Sequence, residues 1–481
     1  MSASFLSRLK VPHVFVLLAG VILCCSIATY FIPSGTYVRE ERTYGALTRT
    51  VVVPGTYQSL PKHVSPVGVL AGDREEGRAS PTSVLGFLSA IPRGMEGAAD
   101  IIFFIFIVGG VFGILERTGT IVAVLHGLLA RFAGSGPLLT VVIMAAVGIG
   151  GSTLGMGEEL IPLVPIFLIV SKELGYDRIY GLAMLALGAQ VGFAAATTNP
   201  FTVQIAQGIA EVPLGSGLGF RLVFFACAMT VAVAYVLRYG RKIRRDPLKS
   251  LMAGDAFSLE GYDAERVSLT ARHVWIVVAA AAIFALILYA VQELGWWLAE
   301  MGGGFLLIGI LAAAIARLSV GEATRAFVRG LEDMVVAALV VGFAKGIQVV
   351  LEDAQVMDTL IFSAATVLRG FPDVLAAEGM LVFQTTLNFF IPSGSGQAAV
   401  TMPLMAPLAD VLGLSRQTAV FAFTCGDGFS NSIIPTSGLL MAMLGLAKIP
   451  YEQWLRFVLP LFLQLMGLAA VFLAIAVWIG Y

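Results

Sequence analysis

Two glutamates stand side by side in an apolar stretch of this chain, Glu158 and Glu159 within GSTLGMGEELIPLVPIF (Gly151 to Phe167). Ionisable groups inside apolar segments are expensive to bury and are functional candidates by default. This pair could bind a substrate amine, carry a proton or sit beside a cation. The bland alternative is that one of them caps the returning helix, since acids favour a helix's first turn. Three further polar clusters share the setting. GAQVGFAAATTNPF (Gly188 to Phe201) holds Thr197, Thr198 and Asn199. FFIPSGSGQAAVTMPLMAP (Phe389 to Pro407) holds Ser393, Gly394, Ser395, Gly396 and Gln397. GDGFSNSIIPTSG (Gly426 to Gly438) holds Asp427, Ser430, Asn431, Thr436 and Ser437.

The chemistry on offer is binding rather than bond-making. Pro200 removes a backbone donor and disfavours helix at Asn199, so carbonyls and amides come free beside two hydroxyls and an amide side chain. The stretch from Ser430 to Ser437 does the same. Carbonyl, hydroxyl and amide oxygens suit a hard cation such as sodium. Half-helix N-termini present positive ends to a substrate carboxylate. Substrate-binding candidates are Gly155, Gly157, Glu158, Glu159, Thr197, Thr198, Asn199, Ser393, Gly394, Ser395, Gly396, Gln397, Asn431, Thr436 and Ser437. Ion-binding candidates are Ser152, Thr153, Thr198, Asn199, Asn388, Ser393, Asp427, Ser430, Asn431 and Thr436. Asp427 could equally be a paired structural acid. Lys345, central in VVGFAKGIQVV, could meet a carboxylate, or could snorkel or pair with a neighbouring acid.

Small and hydroxylated residues also serve plain helix packing in membranes. What sets these clusters apart is that they recur. Pro165 matches Pro403, Leu174-Gly175 matches Leu412-Gly413, Arg178 matches Arg416, Gly188 matches Gly426 and Thr198 matches Thr436. AEVP (Ala210 to Pro213) matches AKIP (Ala447 to Pro450). Paired Gly- and Pro-interrupted apolar segments in two halves of a membrane protein point to a transporter's binding site. Non-helical chain at membrane depth must be buried in protein or line a cavity.

These clusters need spanning elements to hold them. The chain of 481 residues is 58% hydrophobic and 13% charged, with a mean hydropathy of +0.89. Apolar runs of roughly 20 residues recur throughout. A net charge of −1 argues against nucleic acid as partner, and four scattered His and four Cys inside apolar runs argue against a metal site or disulfides. Arg8 and Lys10 precede an apolar run ending at Pro33, read as a first retained helix over 1–33 with a cytoplasmic N-terminus. Residues 34–98 read as an extracytoplasmic cap, strand-like at 37–60. The basic cluster Arg238, Arg241, Lys242, Arg244, Arg245 and Lys249 puts the loop 239–272 inside, and the C-terminus falls outside.

The first copy, 99–238, is expected to cross at 99–118, 119–134, 137–150, 178–211 and 218–238, with a re-entrant hairpin at 151–175 and a broken helix at 178–211. Connecting helices follow within 273–320, at 273–293 and 303–318. The second copy, 321–481, is expected to cross at 333–351, 354–369, 378–391, 417–446 and 454–479, with a hairpin at 392–412 and a broken helix at 417–446. The first copy starts outside and the second inside, so the fold class is an all-α polytopic membrane protein of inverted repeats. Trp275, Trp296, Trp297, Trp454 and Trp478 fall near the expected helix ends, as interfacial aromatics do. Glu116 and Arg117 read as interfacial, and the pairs Arg93 with Glu96 and Arg329 with Glu332 as scaffold or rim.

On PHVFVLLAG, GEELIPLVPIF, TTNPFTVQIAQGIAEVPLGSG, IPSGSGQAAVTMPLMAPLAD and GDGFSNSIIPTSGLLMAMLGLAKIPY, the chain resembles the YfcC-type branch of the ion transporter superfamily. That branch is grouped with C4-dicarboxylate carriers of the DcuC type and with arginine/ornithine exchangers. The resemblance covers nearly all of the chain outside 34–98 and 239–272. It implies a homodimeric secondary transporter in a bacterial-type inner membrane, with an elevator-type transport domain moving against a scaffold. Sodium-coupled dicarboxylate carriers of similar architecture have a Ser-Asn-Thr type motif at each hairpin tip. Here the tips read GMGEE and SGSGQ, and Ser430-Asn431-Ser432 lies on a broken helix, which puts dicarboxylate specificity in doubt.

A dianion would be served by buried Arg or Lys, and none of the four motifs contains one. Two glutamates at one tip suit a substrate with an amine as well as a carboxylate. The expectation is an ion-coupled carrier, with Na+ or H+ as coupling ion and no other cofactor, for amino acids or small peptides. A C4-dicarboxylate carrier or exchanger is the alternative, with a channel more remote. An enzyme is disfavoured: there is no HExxH, no G-x-S-x-G, and Tyr176-Asp177 is at a hairpin base rather than mid-helix.

Overall fold

The structure is a computed structural model that describes residues 14–44, 47–73, 75–131, 135–255, 257 and 268–481. Arg8, Lys10 and part of the loop 239–272 lie outside the described residues. Helix α1 (Val14–Ala28) leads into strands β1 (Ser34–Thr36), β2 (Arg39–Tyr44), β3 (Leu47–Val52) and β4 (Gln58–Leu60), then α2 (Pro66–Ala71). The strands form two antiparallel pairs, β1 with β4 and β2 with β3.

The eight helices of the first copy follow. They are α3 (Val84–Gly97), α4 (Ala99–Arg117), α5 (Thr120–Arg131), α6 (Gly136–Leu154), α7 (Val164–Glu173), α8 (Arg178–Ala194), α9 (Ile205–Ile209) and α10 (Leu218–Arg245). Helices α11 (Ala271–Glu293) and α12 (Leu298–Ala316) connect to eight more. These are α13 (Val320–Asp333), α14 (Val335–Asp353), α15 (Met357–Leu368), α16 (Asp373–Asn388), α17 (Gly394–Val411), α18 (Arg416–Ser430), α19 (Gly438–Ala447) and α20 (Tyr451–Ile479). The same order of long, short and interrupted helices thus occurs twice. Helices α4, α6, α10, α11, α12, α14 and α20 are long and apolar enough to cross a membrane.

Packing couples the copies reciprocally. Helix α3 lies on α14 while α13 lies on α4, and α6 and α7 pack on α8 as α16 and α17 pack on α18. The close approaches need missing side chains: a Cβ at Gly192 of α8 would lie 2.1 Å from the Gly148 carbonyl oxygen of α6. A small separate apolar core joins α4, α11 and α12 through Phe104, Val108, Ile287 and Phe305.

Several expectations change. Helix α6 runs unbroken through Leu154, so the crossing read at 137–150 and the first limb of the hairpin are one element. The hairpin is α6 and α7 around a tip at 155–157, not 151–175. Likewise α16 and α17 form the second hairpin, where a crossing at 378–391 and a hairpin at 392–412 were expected. The segments read as crossings at 119–134 and 354–369 are the 12-residue helices α5 and α15, too short to span. Residues 84–97, read within the cap, form α3, which buries Ala90 and Gly94 and packs on α14. Trp454 is fully buried rather than interfacial.

Candidate functional site

Each interrupted helix starts and restarts on a side-chain cap. Asp177 accepts from the Tyr180 amide at 2.8 Å to begin α8, and Ser415 accepts from the Thr418 amide at 3.0 Å to begin α18. After the first break, Asn199 Oδ1 accepts from the Phe201 amide at 2.8 Å and a π-helical turn, Pro200–Gln204, leads into α9. After the second, Ser437 accepts from the Leu440 amide at 3.4 Å to open α19. Asn199 and Ser437 are repeat-equivalent, so the same job is done twice at the same place: satisfying amides that the break would otherwise leave bare.

The first break is stitched to its hairpin by Ser152. Its hydroxyl donates to the Ala195 carbonyl (3.1 Å) and to Thr197 Oγ1 (3.0 Å), and its carbonyl accepts from the amides of Thr197 (2.9 Å) and Thr198 (3.3 Å). Thr198 Oγ1 reaches the Thr153 carbonyl at 3.4 Å. Gly155, at φ +70°, turns the chain at the tip, where a Cβ would lie 2.5 Å from Asn199 Oδ1. The second break is stitched by Asn388, whose Nδ2 donates to the Asp427 carbonyl (2.8 Å), Ser430 Oγ (2.9 Å) and Asn431 Oδ1 (2.9 Å).

The two tips and the second break meet at one cavity of about 220 Å³, with Phe201 of the π turn after the first break also on its wall. Gly155, Gly157, Glu158 and Glu159 line it from the first tip, and Ser393, Gly394 and Ser395 from the second. Asn431 and Ser437 come from the second break, and Phe193, Trp297 and Met301 form apolar wall. Each tip rests on the other copy: a Cβ at Gly157 would lie 3.2 Å from Leu439 of α19, and one at Gly394 would lie 2.7 Å from Thr202 of the π turn.

The remaining candidates do not line this cavity. Thr197, Thr198 and Asn199 are used in the stitch just described. Gln397 is fully buried and donates to the Gln384 side chain at 2.7 Å, Gly396 donates its amide to Ser393 Oγ at 3.3 Å, and Thr436 is fully buried with Oγ1 unpartnered. Glu159 accepts from the Gly157 amide at 2.9 Å, so it ties down its own tip, whereas Glu158 makes no ion pair among the described residues. Lys345 donates to Gln348 at 2.7 Å on its own helix. Arg117 pairs with Glu322 at 3.1 Å, and Arg93 with Asp353 rather than with Glu96.

Two residues at the site have no counterpart in the sequence expectations, and a third, Trp454, takes a role other than the interfacial one expected of it. Gln190 on α8 lines the cavity, is 4% exposed and has no partner for either amide atom. Arg221 on α10, 1% exposed, reaches the Ala196 carbonyl of the first break (3.5 Å) and Thr424 Oγ1 (3.3 Å), with no acid beside it among the described residues. Trp454 on α20 donates from Nε1 to the Ser432 carbonyl of the second break at 2.9 Å. An ionisable residue near the start of an apolar helix was the available signal for Arg221. For the other two, only the tertiary fold reveals the role.

Interrupted helices and hairpin tips closing on a mid-chain cavity, between helices of spanning length, describe a multi-pass membrane transporter. The family profile of DcuC, the C4-dicarboxylate anaerobic carrier, matches residues 11–478, and the chain belongs to that family. It is 34% identical over 472 residues to the Escherichia coli protein named "Putative basic amino acid antiporter YfcC", covering 93% of each chain. It is 28% identical over 510 residues to an uncharacterized protein of Haemophilus influenzae, covering 97% of each. Among solved structures it is similar to the YdaH transporter of Alcanivorax borkumensis, at 16% identity and a TM-score of 0.46 over 98% of this chain and 99% of that one. It is also similar to MtrF of Neisseria gonorrhoeae, described with a class of antimetabolite efflux pumps, at 18% identity and a TM-score of 0.45 over 98% of each chain.

Proposed function

We propose that this protein is a sodium-coupled secondary transporter of small carboxylate-bearing zwitterions, amino acids or small peptides, in a bacterial-type inner membrane. One observation carries the substrate class: among the described residues, the charged ones lining the cavity are Glu158 and Glu159, and no Arg or Lys lines it. A buried acid pairs with an amine, while the capped N-termini of α17 and α19 present amides to a carboxylate. The name of the Escherichia coli relative, which specifies basic amino acids, agrees with an acidic site. The second reading, a C4-dicarboxylate carrier, is favoured by the family's description, and in it the glutamates would serve a cation.

Transport follows from the double architecture. With α5 and α15 too short to cross and α6 and α16 ending at the tips, each copy keeps three crossings. An odd number turns the second copy over relative to the first, with the N-terminus cytoplasmic and the C-terminus extracytoplasmic. Hairpins reaching the cavity from opposite faces can then expose it to each side in turn. An elevator motion of the hairpins and interrupted helices against a dimerised scaffold is what the family resemblance adds. The separate core of α4, α11 and α12 supports a distinct scaffold unit.

The test is thermal stability of the purified protein in sodium or choline chloride at equal ionic strength, with amino acids, dipeptides and C4-dicarboxylates. A ligand that binds only the folded state raises the melting temperature by mass action. A rise with amine-bearing ligands, larger in sodium, is expected. A rise confined to dicarboxylates would replace this reading by the second.

A further inference from the structure

The first break spends its polar groups on itself, through Ser152, Thr197 and Asn199. The second is stitched in the same way by Asn388, yet it leaves a carboxylate over. Asp427 on α18 is fully buried, and neither carboxylate oxygen has a hydrogen-bond partner. Thr202, in the π turn of the first copy, is 1% exposed and leaves Oγ1 unpartnered. Both side chains lie against the second tip: a Cβ on Gly394 would lie 2.7 Å from the Thr202 methyl carbon, Cγ2, and 3.2 Å from Asp427 Oδ2. Asn388, bound through Nδ2 to the Asp427 carbonyl, leaves its own Oδ1 unpartnered. A fully buried carboxylate with no partner is expensive to keep ionised unless something positive completes it.

We propose that Asp427 and Thr202, closed over by the tip at Gly394 and neighboured by Asn388, hold a single sodium ion. One carboxylate balances one monovalent charge, where a divalent ion usually draws several carboxylates. A proton needs only one oxygen and would leave the others unexplained. Thr202 belongs to the first copy and Asp427 and Gly394 to the second, so an ion here ties the copies together at the moment the tip is docked. Of the ion-binding candidates this keeps Asp427 and Asn388, and it adds Thr202, which the sequence did not single out, to make a site that crosses the repeats. The ion's role in coupling rests on the transporter reading, but its occupancy does not.

The experiment melts the purified full-length protein over a sodium chloride titration, with choline chloride holding ionic strength constant and no organic substrate present. The wild-type melting temperature rises along a single saturation curve. Asp427→Asn and Thr202→Val each move the half-saturating sodium concentration at least tenfold higher. Absence of a sodium-dependent rise in the wild type overturns the site, as does a wild-type midpoint in Asp427→Asn. Where Asp427→Asn does not fold, Thr202→Val, which keeps shape and charge, decides alone: a wild-type midpoint overturns the site. Sodium stabilisation without any response to organic ligands would keep the site and count against the transport reading instead.

Discussion

A Cβ placed on Gly428 would lie 2.3 Å from the Cα of Ala194. These residues belong to α18 and α8, so the two interrupted helices touch backbone to backbone beside the cavity. A methyl group cannot be absorbed there by a rotamer change, because the opposing atom is main chain. Gly428→Ala is therefore expected to cost at least about 2 kcal/mol by overpacking and to abolish transport. Gly445→Ala on α19 is the control, since its Cβ would meet Val336 Cγ1 at an ordinary 3.7 Å. Melting temperatures of the two variants check this, and equal values would mean the helices can part.

Ser152 stitches the first break to its hairpin, and its hydroxyl is spent there. Ser152→Ala removes the donor to the Ala195 carbonyl and to Thr197 Oγ1 in a buried site, while the Thr197 hydroxyl keeps its own bond to the backbone carbonyl of residue 152. Leaving such groups unpaired costs about 1–3 kcal/mol each. The melting temperature should fall by several degrees, while the half-saturating sodium concentration stays within about twofold, the same free-energy scale giving 1.4 kcal/mol per tenfold change. A large shift in sodium affinity would return Ser152 to the ion site.

The two glutamates should separate. Glu159→Gln replaces a charge-assisted bond at the Gly157 amide with a weaker one, so it should lower both the melting temperature and the maximal rate. Glu158→Gln should leave stability nearly unchanged and raise the KM for amine-bearing substrates at least tenfold. Uptake into proteoliposomes measures both. Unchanged KM in both variants would remove the argument that the pair receives an amine.

The four polar clusters were legible because each breaks an apolar run, and their spacing repeats. Limb boundaries were not. The glycine-rich stretch ahead of the first tip reads as a chain break, yet Gly148 and Gly151 are contact points. A Cβ on Gly151 would lie 2.4 Å from the Ala189 carbonyl oxygen, which is close helix packing inside an unbroken α6. In sequence, glycine as packing residue and glycine as breaker look alike. Nor could one sequence reveal that each tip docks on the other copy, since Gly394 against Thr202 and Gly157 against Leu439 depend on how two distant segments fold together. Gln190 and Trp454 were hidden for the same reason: each sits within a regular helix and acquires a role from what lies opposite.

Arg221 poses the sharpest contrast between stability and function. A guanidinium buried without an acid partner is a net cost, and replacing buried charge with an apolar side chain of similar volume is often neutral or stabilising. Its bonds go to the Ala196 carbonyl of the first break and to Thr424 on α18, so it joins the two interrupted helices from behind the cavity. Arg221→Met keeps much of the volume and removes both bonds. The melting temperature should stay level or rise, and the transport rate should fall at least tenfold, because the first break and α18 lose the side chain that links them. A variant that melts several degrees lower while transporting normally once folded would make Arg221 a structural residue. That outcome would leave Gly428 and Ala194 as the contact that holds the interrupted helices together.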